Sequence, residues 1–253
     1  YHHGPAGFFY ASEIKSLFQH PHVPQHLCPK ATLHQLIQVM VPGMTLFQNI
    51  HALKPGQMLV VEETTPGQFD LHENRYWDFN YPLRNQHDYH KTPQEHIARV
   101  QKELTEAVAL RLESDVPVAC YLSGGIDSCS ILGLATNMQQ SPIKAFTIGF
   151  EGSDFDETKT AKEMSAKTQA EHDILTLCSK DLYGQNYLRT LWHSERTFYN
   201  TLGVSKYLMS AHVTQNKYRV VLTGEGSDEI FGGYTSFKKG NLPEPLQKNR
   251  SQM

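Results

Sequence analysis

The sequence predicts an α/β protein whose second half is a doubly wound parallel sheet, and three observations carry that expectation. Near-continuous apolar runs at 116–122 (VPVACYL), 143–150 (IKAFTIGF), 172–177 (HDILTL) and 218–224 (YRVVLTG) alternate with stretches of helical period. Strands with no polar alternation are those buried on both faces, as in a parallel sheet covered by helices. Two glycine-rich turns follow directly on such runs, SGGIDS after the first and TGEGSDEIFGGY after the last. Ligands of these sheets bind beyond the carboxyl ends of the strands, which is where both turns fall.

The first 81 residues read differently. GFFYAS is a β-type segment, and Phe8 to Phe18 reads as a strand running into a short helix with Ser12 as its cap. GQMLVVEE (56–63) and FDLHENRYWDF (69–79) read as a hairpin, with Pro66-Gly67 supplying the turn. Residues 82–94 are polar and without pattern, which suits a linker. Thr92, Pro93 and Glu95 then announce a helix: a capping threonine, a proline at the first helical position and a glutamate three residues after the cap. Ile97, Val100, Leu104, Val108 and Leu112 follow on one face. After the strand at 116–122 come a helix from about 128 to 138, a strand, a helix over 156–168, a strand, a helix near 204–216 and a final strand. No internal repeat or low-complexity segment interrupts the series.

With 253 residues, the chain has room for one large or two small domains. Its net charge of -3 gives no field favouring nucleic acid or an anionic membrane. No apolar run approaches the roughly 20 residues of a membrane helix, and no secretory signal heads the chain. Cys28, Cys120, Cys129 and Cys178 show no C-x-x-C spacing, which argues against a disulfide framework or a zinc site and for a reducing cytoplasm. The 14 histidines include pairs in polar, Pro-containing stretches, which suit solvated loops better than metal. The chain starts at Tyr1 and closes on NLPEPLQKNRSQM, so a fragment at both ends is expected.

The chemistry concentrates in the two turns. In Ser123-Gly124-Gly125-Ile126-Asp127-Ser128, the glycines let backbone approach a ligand. The N–H groups of the helix start and the two serine hydroxyls can then cradle an anion. Asp127 would repel a bare phosphate, so a divalent cation between them is implied. The alternative is a plain strand-to-helix turn capped by Asp or Ser. It is not a Walker loop, since no Gly-Lys-Ser/Thr follows. In the second turn Glu225, Asp228 and Glu229 crowd three carboxylates together. That is unfavourable unless a metal, a proton or a cationic partner compensates, or the loop is simply solvated.

LSGGIDS resembles the pyrophosphate-binding loop of the N-type ATP pyrophosphatases. Together with LTGEGSDEIFGGY it resembles the synthetase domain of the glutamine-hydrolysing asparagine synthetases. FYASEIKSL, LFQNIHALKPGQ and NRYWDF are similar to the closing part of that family's glutaminase domain. The resemblance implies an adenine nucleotide alpha hydrolase-like sheet domain over 95–253, truncated at its C-terminus. A linker at 82–94 would precede it, and residues 1–81 would be part of an α+β N-terminal-nucleophile glutaminase domain. It implies a ligase in which the side-chain carboxylate of aspartate attacks the α-phosphate of ATP, giving an acyl-adenylate and pyrophosphate. Ammonia from glutamine then displaces AMP.

On that resemblance, Ser123, Gly124, Gly125 and Ser128 hold pyrophosphate with Asp127 at Mg²⁺, and Leu122, Ile148, Thr223 and Gly224 line the nucleotide pocket. Glu225 takes a proton from ammonia, and Asp228 binds Mg²⁺ or orients the substrate. The partners implied are small molecules, with no nucleic acid and no membrane, in an enzyme that could be a homodimer. A related amidotransferase, a β-lactam-forming ligase on another carboxylate, and a non-catalytic ATP-binding remnant are the alternatives. The family's nucleophilic cysteine and a charge-stabilising lysine would lie outside this chain, so none of its four cysteines takes the first role. Cys129 stands where the family often has serine, and SERTFYNTLGVSKYL (194–208) departs from a housekeeping asparagine synthetase.

Overall fold

The computed structural model describes residues 1–86, 90–152, 157–235 and 237. The middle of the expected linker, the first residue of the expected helix at 156–168 and the polar tail lie outside them. The strands are β1 (His2–Gly4), β2 (Gly7–Phe9), β3 (Gln57–Thr65), β4 (Gln68–Arg75), β5 (Val118–Tyr121), β6 (Lys144–Phe150), β7 (Glu171–Leu177) and β8 (Val220–Leu222). The helices are α1 (Ile14–Leu17), α2 (Pro29–Leu36), α3 (Pro93–Leu112), α4 (Ile126–Met138), α5 (Thr158–Thr168), α6 (Gln185–Ser194), α7 (Leu202–Gln215) and α8 (Ser227–Phe231). Contacts divide the chain into two compact units. One is Tyr1–His90 with Ser179–Tyr207, and the other is Lys91–Cys178 with Leu208–Met253. The segment 179–207, read from sequence as part of one run from 95 onward, thus packs with the N-terminal residues.

In the first unit, β1 and β2 pair antiparallel beside a core of Leu17, Val23 and Ile50, on which Phe9, Ile14, Phe18 and Phe47 pack. The expected hairpin is present as β3 and β4, and Gly67 takes φ +80 at its turn, where a side chain would be strained. The cap of α1 differs from the expectation. Ser12 does not cap it; Glu13 holds the N-cap position and makes no side-chain cap hydrogen bond. The N–H groups of Ile14 and Lys15 donate instead to the two carboxylate oxygens of Glu195, each at 2.7 Å. A charged acceptor satisfying two orphan donors makes a stronger cap than a hydroxyl satisfying one. Thr197 N–H donates to Gln35 Oε1 at 3.0 Å, so two side-chain ties hold 195–197 against the N-terminal elements.

The second unit is built on a four-stranded sheet of order β7-β6-β5-β8 with every pair parallel. Alternate residues of the strands enter two cores. Cys120, Leu122, Ala145 and Leu222 face Val108 of α3, Leu132 and Ala135 of α4 and Ala161 of α5. Ala119 and Phe146 face Met209 and Val213 of α7. Helices on both faces are what unalternating strands require, and the expected α/β sheet is the one observed. The start of α3 shows the full reciprocal capping box between Thr92 and Glu95. Its apolar stripe is covered only in part: Val108 is buried, whereas Ile97 is 65% and Val100 41% exposed. No described helix is long and apolar enough to cross a membrane.

Candidate active site at the switch point of the sheet

From β5 the chain builds outward to β6 and β7, then returns to β8 on the other side of β5. Strand order therefore reverses between β5 and β8, and the loops leaving their carboxyl ends bound a crevice. A pocket of about 200 Å³ lies there. Ser123, Asp127 and Ser128 line it from the first turn, and Thr223, Gly224, Glu225 and Asp228 from the second. Tyr121, Gly226, Glu229 and Tyr234 complete the walls. Leu122, Gly124, Gly125 and Ile148 do not line it. Leu122 is buried in the core beneath α4, and Ile148 packs on the Phe146 side of the sheet. A larger cavity of about 870 Å³ in the first unit is walled mainly by apolar side chains such as Phe8, Leu17, Leu59 and Phe69. It offers no comparable set of carboxylates and backbone donors, so chemistry rather than volume selects the switch-point pocket.

Close packing explains the glycines. Gly124 has φ +90, and a Cβ there would stand 3.0 Å from Thr160 Cβ and 3.2 Å from the Glu157 carbonyl oxygen. The first turn is thus pressed against the beginning of α5. At Gly224 a Cβ would lie 2.8 Å from Asp127 C, Asp127 Cβ and Ser128 N. The second turn therefore sits directly on the first residues of α4, and only a residue without a side chain permits that approach. Gly125 is the N-cap of α4 and provides no side-chain cap, which leaves the first-turn N–H groups to an outside acceptor.

The two serines shape the turn from within. Ser128 Oγ accepts from Ser123 N at 3.1 Å and donates to the Gly125 carbonyl at 3.1 Å. Ser123 Oγ lies 3.0 Å from Ser128 Oγ and accepts from Gly125 N at 3.3 Å. Both hydroxyls are engaged locally, so the backbone donors carry the anion-holding capacity of the turn.

On the facing loop, Tyr234 donates to Glu229 Oε1 at 2.7 Å. That bond keeps Glu229 below the usual carboxylate range and pushes the Tyr234 phenol up to about 12. One of the three crowded carboxylates is thereby compensated by a phenol, a partner the sequence reading did not identify. Ser227 Oγ is buried and has no hydrogen-bond partner among the described residues. Tyr121 was also missed. It closes the strand one residue before the buried Leu122, so alternation alone sends its side chain to the opposite face.

Among the described residues no three His, Cys, Asp or Glu side chains form a ready metal cage. Magnesium is commonly held by one or two carboxylates together with waters and substrate phosphates. Asp127 and Asp228, one from each turn of the same pocket, are a donor set of that kind. Burial pushes the Cys120 thiol up to about 12, which leaves it inert at neutral pH.

The family model for asparagine synthase matches residues 99–251. The chain is 31% identical to amidase chyE of Penicillium rubens and to amidase chry2 of Gibberella zeae, in each case over 93% of this chain and 36% of the relative. It is 28% identical to glutamine-hydrolyzing asparagine synthetase 1 of Bacillus subtilis, over 95% of this chain and 36% of that protein. The chain thus spans about a third of the length of the curated relatives it matches. The parallel sheet, the paired glycine turns at its switch point and the family match over most of the second half agree: the chain belongs to the asparagine synthase family.

Proposed function

We propose that this chain is part of an ATP-dependent amide-forming ligase, with aspartate as the acceptor and glutamine as the ammonia source. The observation that carries the reading is Gly224 lying against Asp127 and Ser128, which makes the two turns one pocket. First-turn N–H groups of α4 receive phosphate oxygens, and Ser123, Gly124, Gly125 and Ser128 hold the turn in the shape that presents them. Asp127 and Asp228 would hold Mg²⁺, which when bound neutralises phosphate charge. Thr223 and Gly224 contact the nucleotide, while Leu122 and Ile148 support its pocket from the core.

The acceptor carboxylate attacks the α-phosphorus, the bond to the β-phosphate oxygen breaks, and pyrophosphate leaves. Ammonia then attacks the acyl-adenylate, AMP departs, and Glu225 takes the proton lost by nitrogen. Residues 1–81, resembling the end of a glutaminase domain, belong on this reading to the half that supplies ammonia in a cytoplasmic enzyme.

A second acceptor has specific support. Two relatives at 31% identity are named amidases, and 194–208 departs from a housekeeping synthetase, so another carboxylate is the runner-up. The test is pyrophosphate release from Mg-ATP by a chain extended at both ends, with ammonia, with and without aspartate. Aspartate-dependent release is expected. Release that depends on a different acid selects the runner-up, binding without turnover indicates a remnant, and no binding overturns the reading.

A further inference from the structure

The backbone ladder alone does not set the direction in which the first turn leaves the sheet. Pairing of β5 with β6 ends at Tyr121 opposite Phe146, and one more backbone bond runs from Leu122 N to the Phe146 carbonyl at 2.9 Å. The Leu122 carbonyl, immediately before Ser123, is received by a side chain: Thr147 Oγ1 donates to it at 2.6 Å. Thr147 is only 2% exposed. A hydroxyl has a single proton, so with it directed at the carbonyl, Thr147 Oγ1 accepts at its other contact, His172 Nε2 at 2.8 Å. The ring therefore carries its proton on Nε2. Its Nδ1 lies 3.1 Å from Ser165 Oγ, which is also 2.9 Å from the Lys162 carbonyl. Burial lowers the His172 pKa, which favours the neutral ring, and the Ser165 hydroxyl donates its proton to the Lys162 carbonyl.

We infer that Thr147 and His172 are positioning residues for the Ser123–Ser128 turn, aiming the Leu122 carbonyl so that β5 parts from β6 and opens the pocket. The chain of bonds runs one way, from Nε2–H to Thr147 and from the Thr147 hydroxyl to the carbonyl. A valine at 147 would fill the same volume; what the hydroxyl adds is direction. Within this chain of bonds the Leu122 carbonyl and Thr147 Oγ1 each receive a proton, which holds both in place. The inference rests on reading that turn as the pyrophosphate loop.

The experiment measures binding of inorganic pyrophosphate with Mg²⁺ to the full chain and to Thr147→Val, His172→Leu and His172→Gln, with Val213→Ala as a control in the other core. The expected result is roughly tenfold weaker binding for Thr147→Val and His172→Leu, the scale of one lost hydrogen bond at the loop. His172→Gln should recover part of it by restoring a donor to Thr147, and Val213→Ala should bind like the parent. Equal binding by Thr147→Val and the parent overturns the inference. If the parent itself binds no pyrophosphate, the reading of the turn fails instead. Amide exchange then decides the tether: faster exchange at 122–125 in Thr147→Val than in Val213→Ala supports it, and equal exchange overturns it.

Discussion

On the proposed function, Asp127 and Gly224 divide the work of the pocket between charge and space. Asp127→Asn keeps the shape and removes the charge, so Mg-dependent pyrophosphate formation should fall at least roughly tenfold, the lower end for a lost metal-site partner. Circular dichroism should show the fold intact, and unchanged turnover at limiting Mg²⁺ would remove Asp127 from that role. Gly224→Ala keeps every charge and places a methyl 2.8 Å from the Asp127 and Ser128 backbone, so one loop must move. Its expected outcome is roughly tenfold weaker Mg-ATP binding by calorimetry together with a lowered melting temperature, since overpacking of this kind typically costs about 1–3 kcal/mol. Parent-like affinity would mean that the two turns do not need to touch. The glycines of both turns were legible as places of close backbone approach because each turn follows directly on an apolar strand run. The Tyr234–Glu229 pair was not, since nothing in five residues of spacing says that a phenol will fold back onto a carboxylate.

At the scale of elements, the strands and the helices between them were readable wherever burial on both faces suppresses polar alternation, as in β5 and β6. α2 and α6 escaped notice because their sequences, PKATLHQL and QNYLRTLWHS, mix apolar with polar side chains and carry no side-chain cap. The start of α1 was misjudged for a different reason: its cap comes from Glu195, 181 residues away from Ile14. A local signal cannot report a partner that distant. The side chain of Glu195 is 15% exposed, so the bonds are only partly screened by solvent. Glu195→Ala should therefore destabilise the first unit by about 2 kcal/mol, the range for hydrogen bonds to a charged acceptor. Denaturant unfolding followed at Trp192 would read it, and a midpoint equal to the parent's would show the cap to be dispensable. Ile97 and Val100 record the converse limit, because periodicity marks an apolar stripe without saying what covers it.

For the molecule as a whole, pH should act through His51 of the first unit, whose pKa burial lowers, and through His172 and Asp173 of the second. His172 has its pKa lowered by burial, with the nearby Lys162 and Lys144 adding to the effect and Asp173 opposing it. The unfolded chain then binds more protons than the folded one below about pH 6.5, so stability falls as pH drops from there. For Asp173, burial would raise the pKa, but hydrogen bonds from His212 and Lys144 outweigh it and hold the group low. Its contribution is present above about pH 4 and is lost as pH falls further. Melting temperature against pH should thus decline in two stages. His172→Gln should reduce the stage between about pH 7 and 5, leaving the His51 part of it and the acid stage in place, whereas an unaltered profile would clear His172 of responsibility.

The return of 179–207 to the N-terminal unit also has a consequence for synthesis. A ribosome adding ~5–20 residues per second completes Tyr1–His90 several seconds before Glu195 and Thr197 exist. Through that interval the N–H groups of Ile14 and Lys15 and the amide of Gln35 lack the partners that the finished chain gives them. The strands of the parallel sheet up to β7 emerge in the meantime, so most of the second unit is made before the first can close at Tyr207. A chain interrupted at residue 178 would leave that unit permanently without its clasp.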